Sequence, residues 1–239
     1  GSMFDSTGAF DYTYVSPDPS DPDHIFVSSN SELGLMEMQN GTPVQLYNKS
    51  NSTIEERAGS TNVYDLSQCH FDDDGNMWVV SSRSTSPLSV RKTDGTWEGF
   101  DCSTLSSSTR LTNSTLTDDG LLFATAVNTG LWVYNNNGTT DGSDDQCKTL
   151  TTAAGNGGLP VSQVNCVVED LDGEIWIGTE SGPAVIYNPS NIFGTGDYDA
   201  QQILIEQDGN IQILLETEAI TAMAIDGANR KWFGTNGSG

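Results

Sequence analysis

Short stretches in which apolar and polar residues alternate recur along the whole chain, and polar turns separate them. One stretch runs from Val164 to Glu169 and another from Ile220 to Ile225. Alternation with a period of two residues is typical of a strand with one buried face. An Asp-Gly pair follows each of these stretches, and it favours a two-residue hairpin turn because that turn needs positive φ at both central residues. The pattern predicts strand–turn–strand units and no helix.

Five such units carry an aromatic residue at the same place in their second strand. The aligned aromatics are Phe26, Trp78, Phe123, Trp176 and Trp232. They lie 52, 45, 53 and 56 residues apart, a period that suits one four-stranded propeller blade with its loops. A ring at this position can fill the gap between neighbouring twisted sheets. We therefore expect all five aromatics to be structural core residues.

Two further strands are expected after each hairpin, so the repeat predicts an all-β fold, a β-propeller with four-stranded blades. The expected blades span residues 10–55, 60–105, 108–152 and 160–216, with a partial blade at 219–239. Residues 1–9 are interpreted as a tag remnant or a disordered start. Within the fourth blade, residues 201–206 and 211–216 are expected to form one long hairpin that turns at Asp208-Gly209.

The count of about four and a half blades indicates a truncated fragment of a longer propeller. An open array of blades exposes an unpaired strand edge. Self-association through that edge is therefore one expected way for the array to be covered.

Composition and charge limit the classes of partner. Only 35% of the residues are hydrophobic, but 5 Trp, 8 Phe and 7 Tyr can anchor a core. Nine Lys and Arg stand against 33 Asp and Glu, which gives a net charge of −24. This charge argues against nucleic acid and against an anionic membrane surface, because both need clustered cations. It leaves open a solubility adaptation, a bound cation or a basic partner.

Three acidic loops are candidate calcium sites, because hard cations bind clustered oxygen atoms. They are residues 18–23, 72–74 and 141–145. The candidate ligands are Asp72, Asp74, Asp141 and Asp145. None of the loops has the spacing of an EF-hand, so solvated turns are the alternative interpretation of each. Apart from calcium, no cofactor is expected.

The cysteines do not form a zinc motif, since no two of them lie two to four residues apart. They are Cys69, Cys102, Cys147 and Cys166. Two disulfides in three connectivities are open, but Cys69 and Cys166 lie in apolar strand-like stretches that equally favour buried free thiols.

Catalytic motifs are missing from the sequence. It contains no Gly-x-Ser-x-Gly elbow, no phosphate-binding loop and no His-Glu-x-x-His. The two histidines, His24 and His70, lie beside an expected turn and on an expected strand, so both are interpreted as structural. We do not expect an enzyme. The sequence also lacks an apolar run of 18 residues, so no membrane span is expected.

Two stretches resemble known families. Residues 164–182, with Val185-Ile-Tyr-Asn-Pro189, resemble the two-component regulator propeller repeats of Bacteroidetes. Residues 199–218 and 224–235 are similar to PorZ-like proteins of the type IX secretion system. The second resemblance implies a non-catalytic scaffold outside the cytoplasm, at the outer-membrane surface or in the periplasm. It also implies a sortase and outer-membrane proteins as partners, and binding of anionic lipopolysaccharide or another glycan for cargo attachment.

Two other functions are compatible with the repeat. The first is the periplasmic carbohydrate-sensing propeller of a hybrid two-component regulator, which the shared Trp-Ile-Gly-Thr sequence supports equally well. The second is a propeller that cleaves polysaccharides, where paired carboxylates would do the chemistry. The acidic residues recur at equivalent turns, however, which favours a structural role for them.

Overall fold

A computed structural model of the chain describes residues 11–101 and 104–237. The start at residues 1–9 and Cys102 therefore lie outside the described residues. The chain divides into two compact units, one up to Leu111 and one from Thr112 onward.

The first unit contains two antiparallel four-stranded sheets, each with its strands in sequence order. The strands of its first sheet are β1 (Tyr12–Asp18), β2 (Asp21–Ser29), β3 (Leu35–Gln39) and β4 (Thr42–Tyr47). Those of its second sheet are β5 (Leu66–Phe71), β6 (Met77–Ser81), β7 (Leu88–Arg91) and β8 (Trp97–Phe100). Every residue of β6 is buried. A strand covered on both faces has a continuous apolar sequence, as Met77-Trp-Val-Val80 does.

The second unit contains two more four-stranded sheets and two separate hairpins. The third sheet contains β9 (Leu111–Leu116), β10 (Leu121–Ala126), β11 (Gly130–Asn135) and β12 (Gln146–Leu150). The fourth contains β13 (Val164–Glu169), β14 (Ile175–Thr179), β15 (Gly182–Ile186) and β16 (Gln201–Gln202). The hairpins are β17 (Leu204–Gln207) with β18 (Asn210–Ile213), and β19 (Ile220–Ile225) with β20 (Lys231–Thr235).

Each unit has its own hydrophobic core between its sheets. In the first unit Phe26, Leu35 and Ile54 pack with Leu66 and Val79. In the second unit the core includes Phe123, Val133, Leu150, Val167, Ile177 and Ile192. In both cores, side chains from successive sheets pack against each other, so burial between sheets holds the repeated units together.

The structure departs from the expected elements in two places. Among the described residues it has one helical turn, a 3-10 helix at Pro189–Ile192, which the alternation did not predict. Proline suits the first turn of a helix because its fixed φ is already helical. The long hairpin is shorter than expected in both strands. Its first strand begins at Leu204, because residues 201–202 form β16 and pair with β15, and its second strand ends at Ile213 rather than residue 216. Leu215 has a φ of 52°, a left-handed conformation that a strand cannot contain.

The cysteines follow one of the open alternatives. Cys69 and Cys166 are buried and free, whereas Cys147 is disulfide-bonded. Burial raises the pKa of each free thiol to about 12. Both are therefore uncharged and act as small apolar core residues.

Candidate interaction surface

Three hairpin turns share an arrangement that we call the Asp–Trp corner. An aspartate, at position 72, 170 or 226, accepts a hydrogen bond from the indole nitrogen of the tryptophan six residues later. The Nε1–Oδ2 distances are 2.8 Å for Trp78 and Asp72, 3.0 Å for Trp176 and Asp170, and 3.1 Å for Trp232 and Asp226. The other carboxylate oxygen accepts backbone N–H groups two and four residues later, at 2.8 to 3.1 Å. Each aspartate thus closes its turn and orients the ring.

The first and third sheets have variants of this corner. In the third sheet Thr117 replaces the aspartate, and its hydroxyl accepts the backbone N–H of Leu121 at 2.9 Å. In the first sheet Asp18 keeps the turn, but its second oxygen contacts His24 Nδ1 at 3.0 Å. A side-chain oxygen that accepts a backbone N–H in the turn is therefore present in all of these units, whereas the tryptophan is present in only three of them.

His24 is held between two carboxylates. Besides Asp18, its Nε2 lies 2.7 Å from Glu37 Oε1, and the other oxygen of Glu37 accepts the Tyr47 hydroxyl at 2.6 Å. Burial opposes protonation of His24, but the hydrogen bonds to Glu37 and Asp18 outweigh it and raise its pKa. This network connects β1, β2, β3 and β4, so the structure gives His24 contacts that tie one sheet together.

The pKa of His70 shifts in the opposite direction from that of His24. It lies on β5 opposite Trp78 on β6. Burial lowers its pKa to about 4, so the ring is neutral at pH 7.

Three of the four candidate calcium ligands accept protein hydrogen bonds, whereas Asp74 contributes its backbone N–H to Asp72. Asp72 accepts N–H groups from Asp74, Asn76 and Trp78, and Asp141 accepts the backbone N–H of Ser143 at 3.1 Å. A carboxylate oxygen of Asp145 accepts the Tyr134 hydroxyl. Within residues 11–101 and 104–237, no three His, Cys, Asp or Glu side chains come together as a metal site requires. Calcium binding at these four aspartates stays a prediction.

The five aligned aromatics are not equally buried, which corrects one expectation. Phe26, Trp78 and Phe123 are fully buried, and Trp176 is half-buried. Trp232 is 60% exposed, so the prediction that it is a core residue is wrong.

The contrast between Trp176 and Trp232 has a direct cause. The side chains of Phe233 and Lys231 on β20 cover Trp176, with ring centroids 6.0 Å apart and Lys231 Nζ 5.1 Å from the Trp176 ring. Lys231 Nζ also contacts Asp170 Oδ2 at 2.8 Å. Trp232 lies on the other face of β20, beside Ala222, Ala224 and Gly234, which are all exposed.

A second exposed apolar region lies on the β17–β18 hairpin. Leu204 is 67% exposed and Ile211 is 76% exposed. Sequence reasoning identified this hairpin but gave it no functional role. The available signal was the alternation of Ile211 and Ile213 with polar Asn210 and Gln212, directly after the turn at Asp208-Gly209.

These sheets and their repeated corners define the fold class as a β-propeller. Residues 158–181 match the family model described as two component regulator propeller. This match confirms the resemblance that the Trp-Ile-Gly-Thr repeat indicated. A comparison with curated protein sequences finds no match.

Solved propeller structures resemble the chain over nearly its whole length. PorZ of Porphyromonas gingivalis, described as an essential bacterial surface component of the type-IX secretion system, has a TM-score of 0.84 at 21% identity. The extracellular domain of a putative hybrid two component system of B. thetaiotaomicron has a TM-score of 0.57 at 17% identity. Each comparison covers 98% of this chain.

An enzyme with the same fold also resembles the chain. Virginiamycin B lyase of Staphylococcus aureus has a TM-score of 0.59 at 8% identity, covering 93% of this chain and 62% of the lyase. The chain spans 33% of the length of PorZ and 34% of the hybrid-system domain. Identities this low show a shared fold, and the activities of those whole proteins do not follow from it.

Proposed function

We propose that this chain is a propeller region of a surface component of a type IX secretion system and that it works by binding rather than catalysis. The observation that carries the proposal is the similarity to PorZ, with a TM-score of 0.84 over 98% of the chain. This similarity extends over nearly the whole chain, whereas the family model matches residues 158–181 only. The partners proposed are a sortase and outer-membrane proteins of the same apparatus.

The absence of catalytic signatures supports a binding role. No nucleophile motif occurs in the sequence, and the hydrogen bonds of the corner aspartates close turns rather than converge on a pocket. In the part of the chain that the structure describes, no helix is long and apolar enough to cross a membrane. The proposed location is the outer-membrane surface, with the periplasm as the alternative.

Lipopolysaccharide or another glycan is the proposed ligand, and the charge limits how it binds. A net charge of −24 repels an anionic polysaccharide. Binding must therefore rely on neutral sugar rings stacked on exposed aromatics such as Trp232, and repulsion should weaken as salt rises.

The test combines genetics with binding. Deletion of the gene in the source organism should leave cargo proteins unanchored, and the affinity-tagged full-length protein should co-purify with the sortase. Purified lipopolysaccharide should bind the chain more tightly at 0.5 M than at 0.05 M NaCl. Normal cargo anchoring in the deletion strain would overturn the proposal.

A carbohydrate-sensing propeller of a hybrid two-component regulator is the second candidate. The family model matched by residues 158–181 and the similarity to the extracellular domain of a putative hybrid two component system support it. The two candidates differ in what the full-length gene encodes beside the propeller. A histidine kinase in the same polypeptide would support sensing and exclude the secretion role.

A further inference from the structure

The β17–β18 hairpin presents one apolar face to solvent. In its register Leu204 lies opposite Ile213 and Glu206 opposite Ile211, so these four side chains share a face. Leu204, Ile211 and Ile213 line an open groove of about 630 Å³ together with Leu215. An isolated two-stranded ribbon with such a face is not stable by itself in water, which makes a covering partner favourable.

The outer edge of β18 also offers backbone hydrogen bonds. Leu214 N donates to Ile203 O at 2.8 Å. Hydrogen-bonded pairs alternate along an antiparallel ladder, so Ile205 and Gln212 exchange the next bonds toward the turn. The backbone groups of Ile211 and Ile213 therefore point away from β17. In the described ranges no strand pairs with this edge of β18, and an unpaired edge is a template for an added strand.

The base of the hairpin is fixed in place. Gly182 N donates to Glu218 O at 3.0 Å, and Glu218 N donates to Leu215 O at 2.9 Å. A Cβ atom on Gly182 would lie 2.7 Å from Leu214 O and 2.8 Å from Leu215 O, so only glycine allows this approach. A pre-organised edge loses less conformational entropy when it binds an added strand.

Charge selects the kind of partner. Glu206 lies on the apolar face, and Glu216 and Glu218 line the groove. No Lys or Arg occurs between Lys148 and Arg230 in the sequence. A second copy of the hairpin would bring the same carboxylates against this face and would be repelled, whereas a cationic segment is attracted.

We propose that the outer edge of β18 accepts an extended, basic segment of a partner protein as an added strand. Apolar side chains of that segment would cover Ile211 and Ile213, and its alternating Lys or Arg side chains would point to the opposite face. There they would be attracted by the negative charge of a region that has no Lys or Arg between Lys148 and Arg230. The proposal rests on the hairpin alone and is independent of the secretion role, so either one can fail without the other.

The first experiment measures binding of a fluorescent acetyl-(Lys-Val)4-amide peptide to the full 239-residue chain by anisotropy at 50 mM NaCl. Ile211→Asp should weaken binding at least about tenfold, because it removes the apolar anchor at the edge. Gln207→Asp adds the same charge on the opposite face and should change affinity less than about twofold. Equal effects of the two substitutions would overturn the proposal, because they would show attraction to the overall charge only.

A second pair of variants separates the backbone edge from the side chain. Ile211→Pro removes the outward N–H while the ladder to β17 keeps its bonds, and proline is tolerated at such edge positions. Ile211→Ala shortens the side chain and keeps the N–H. The proline variant should bind at least about fivefold more weakly than the alanine variant. Equal affinities would contradict strand addition, provided far-ultraviolet circular dichroism shows both variants folded.

Two controls exclude other occupants. An acetyl-(Glu-Val)4-amide peptide should not bind, and equal binding of it would contradict the charge argument. Sedimentation of the chain alone should show no dimer that forms through this hairpin. A dimer that Ile211→Asp dissociates would mean that the face takes a second copy, which would overturn the proposal.

Discussion

The Asp–Trp corner of the second sheet and that of the last hairpin have the same local structure and opposite surroundings. In both, the aspartate accepts the indole N–H six residues later and the backbone N–H groups two and four residues later. Trp78 is 1% exposed, because Phe100 stacks on it with ring centroids 5.6 Å apart. Trp232 is 60% exposed. The corner is therefore encoded by local sequence, whereas burial of its ring depends on what packs beside it.

Truncation of the two tryptophans should give the largest contrast. Trp78→Ala removes a fully buried ring and should lower the free energy of unfolding by about 3–5 kcal/mol. Trp232→Ala removes an exposed ring and should cost less than about 1 kcal/mol. Urea unfolding of both variants, followed by circular dichroism, checks the difference. Similar losses would mean that the exposed ring is covered in solution.

Alanine substitutions at two equivalent strand glycines should give the next largest difference in stability. Gly178 and Gly234 both follow the corner tryptophan by two residues. A Cβ atom on Gly178 would clash with Cys166 Sγ and lie 2.8 Å from Ile220 Cγ2, whereas on Gly234 its nearest neighbour is Ala222 Cβ at 3.5 Å. Gly178→Ala should therefore destabilise the protein by about 1–3 kcal/mol through overpacking.

Gly234→Ala is the matched control for that prediction. It should be neutral or slightly stabilising, since glycine weakens a strand and the added methyl group has room. Thermal unfolding of the two variants measures both effects. A loss at position 234 as large as at position 178 would contradict the exposed face of β20.

The cations of β20 should show a smaller contrast. Lys231 contacts Asp170, whose side chain is fully buried, while Arg230 pairs with Asp226 and is 71% exposed. Lys231→Met should cost about 1–2 kcal/mol, because a buried carboxylate loses a charged donor but keeps its N–H donors. Arg230→Met should change stability by less than about 0.5 kcal/mol. Chemical denaturation of each variant distinguishes them, and a larger effect of Arg230→Met would be inconsistent with this packing.

The smallest effect is a titration at the exposed corner. Hydrogen bonds from Trp232 and from the backbone and side chain of Arg230 lower the pKa of Asp226 to about 2. The depressed pKa means that the corner is complete above the ordinary aspartate pKa and is lost as pH falls through about 2. The indole N–H resonance of Trp232 should therefore stay constant from pH 7 to pH 4 in NMR spectra. A midpoint near pH 4 would show that the corner does not form.

The strand order could be predicted from the sequence because its signals are local. Alternation and Asp-Gly pairs place β13, β14, β19 and β20 within a residue or two of their observed bounds. The hairpin turn at Asp208-Gly209 is also where the sequence puts it, with φ values of 53° and 78°. Turn chemistry and period depend on neighbouring residues only.

Burial and partners could not be predicted in the same way. Trp176 and Trp232 occupy equivalent positions two residues before a Gly-Thr pair, but Phe233 and Lys231 of β20 contact the Trp176 ring. Composition also does not show that backbone and indole N–H groups donate to the Asp72 carboxylate, and calcium binding at the acidic turns stays a prediction. Leu215 offered no sign of its left-handed conformation, since the close approach to Gly182 that accompanies it involves residues far apart in the chain.

Among the cysteines that the structure describes, Cys69 in the first compact unit and Cys166 in the second are buried free thiols. A thiol with a pKa of about 12 and almost no exposure reacts with an alkylating reagent only after its surroundings open. The alkylation rate of each thiol, measured in a variant that keeps only that free cysteine, therefore reports how often its own unit opens locally.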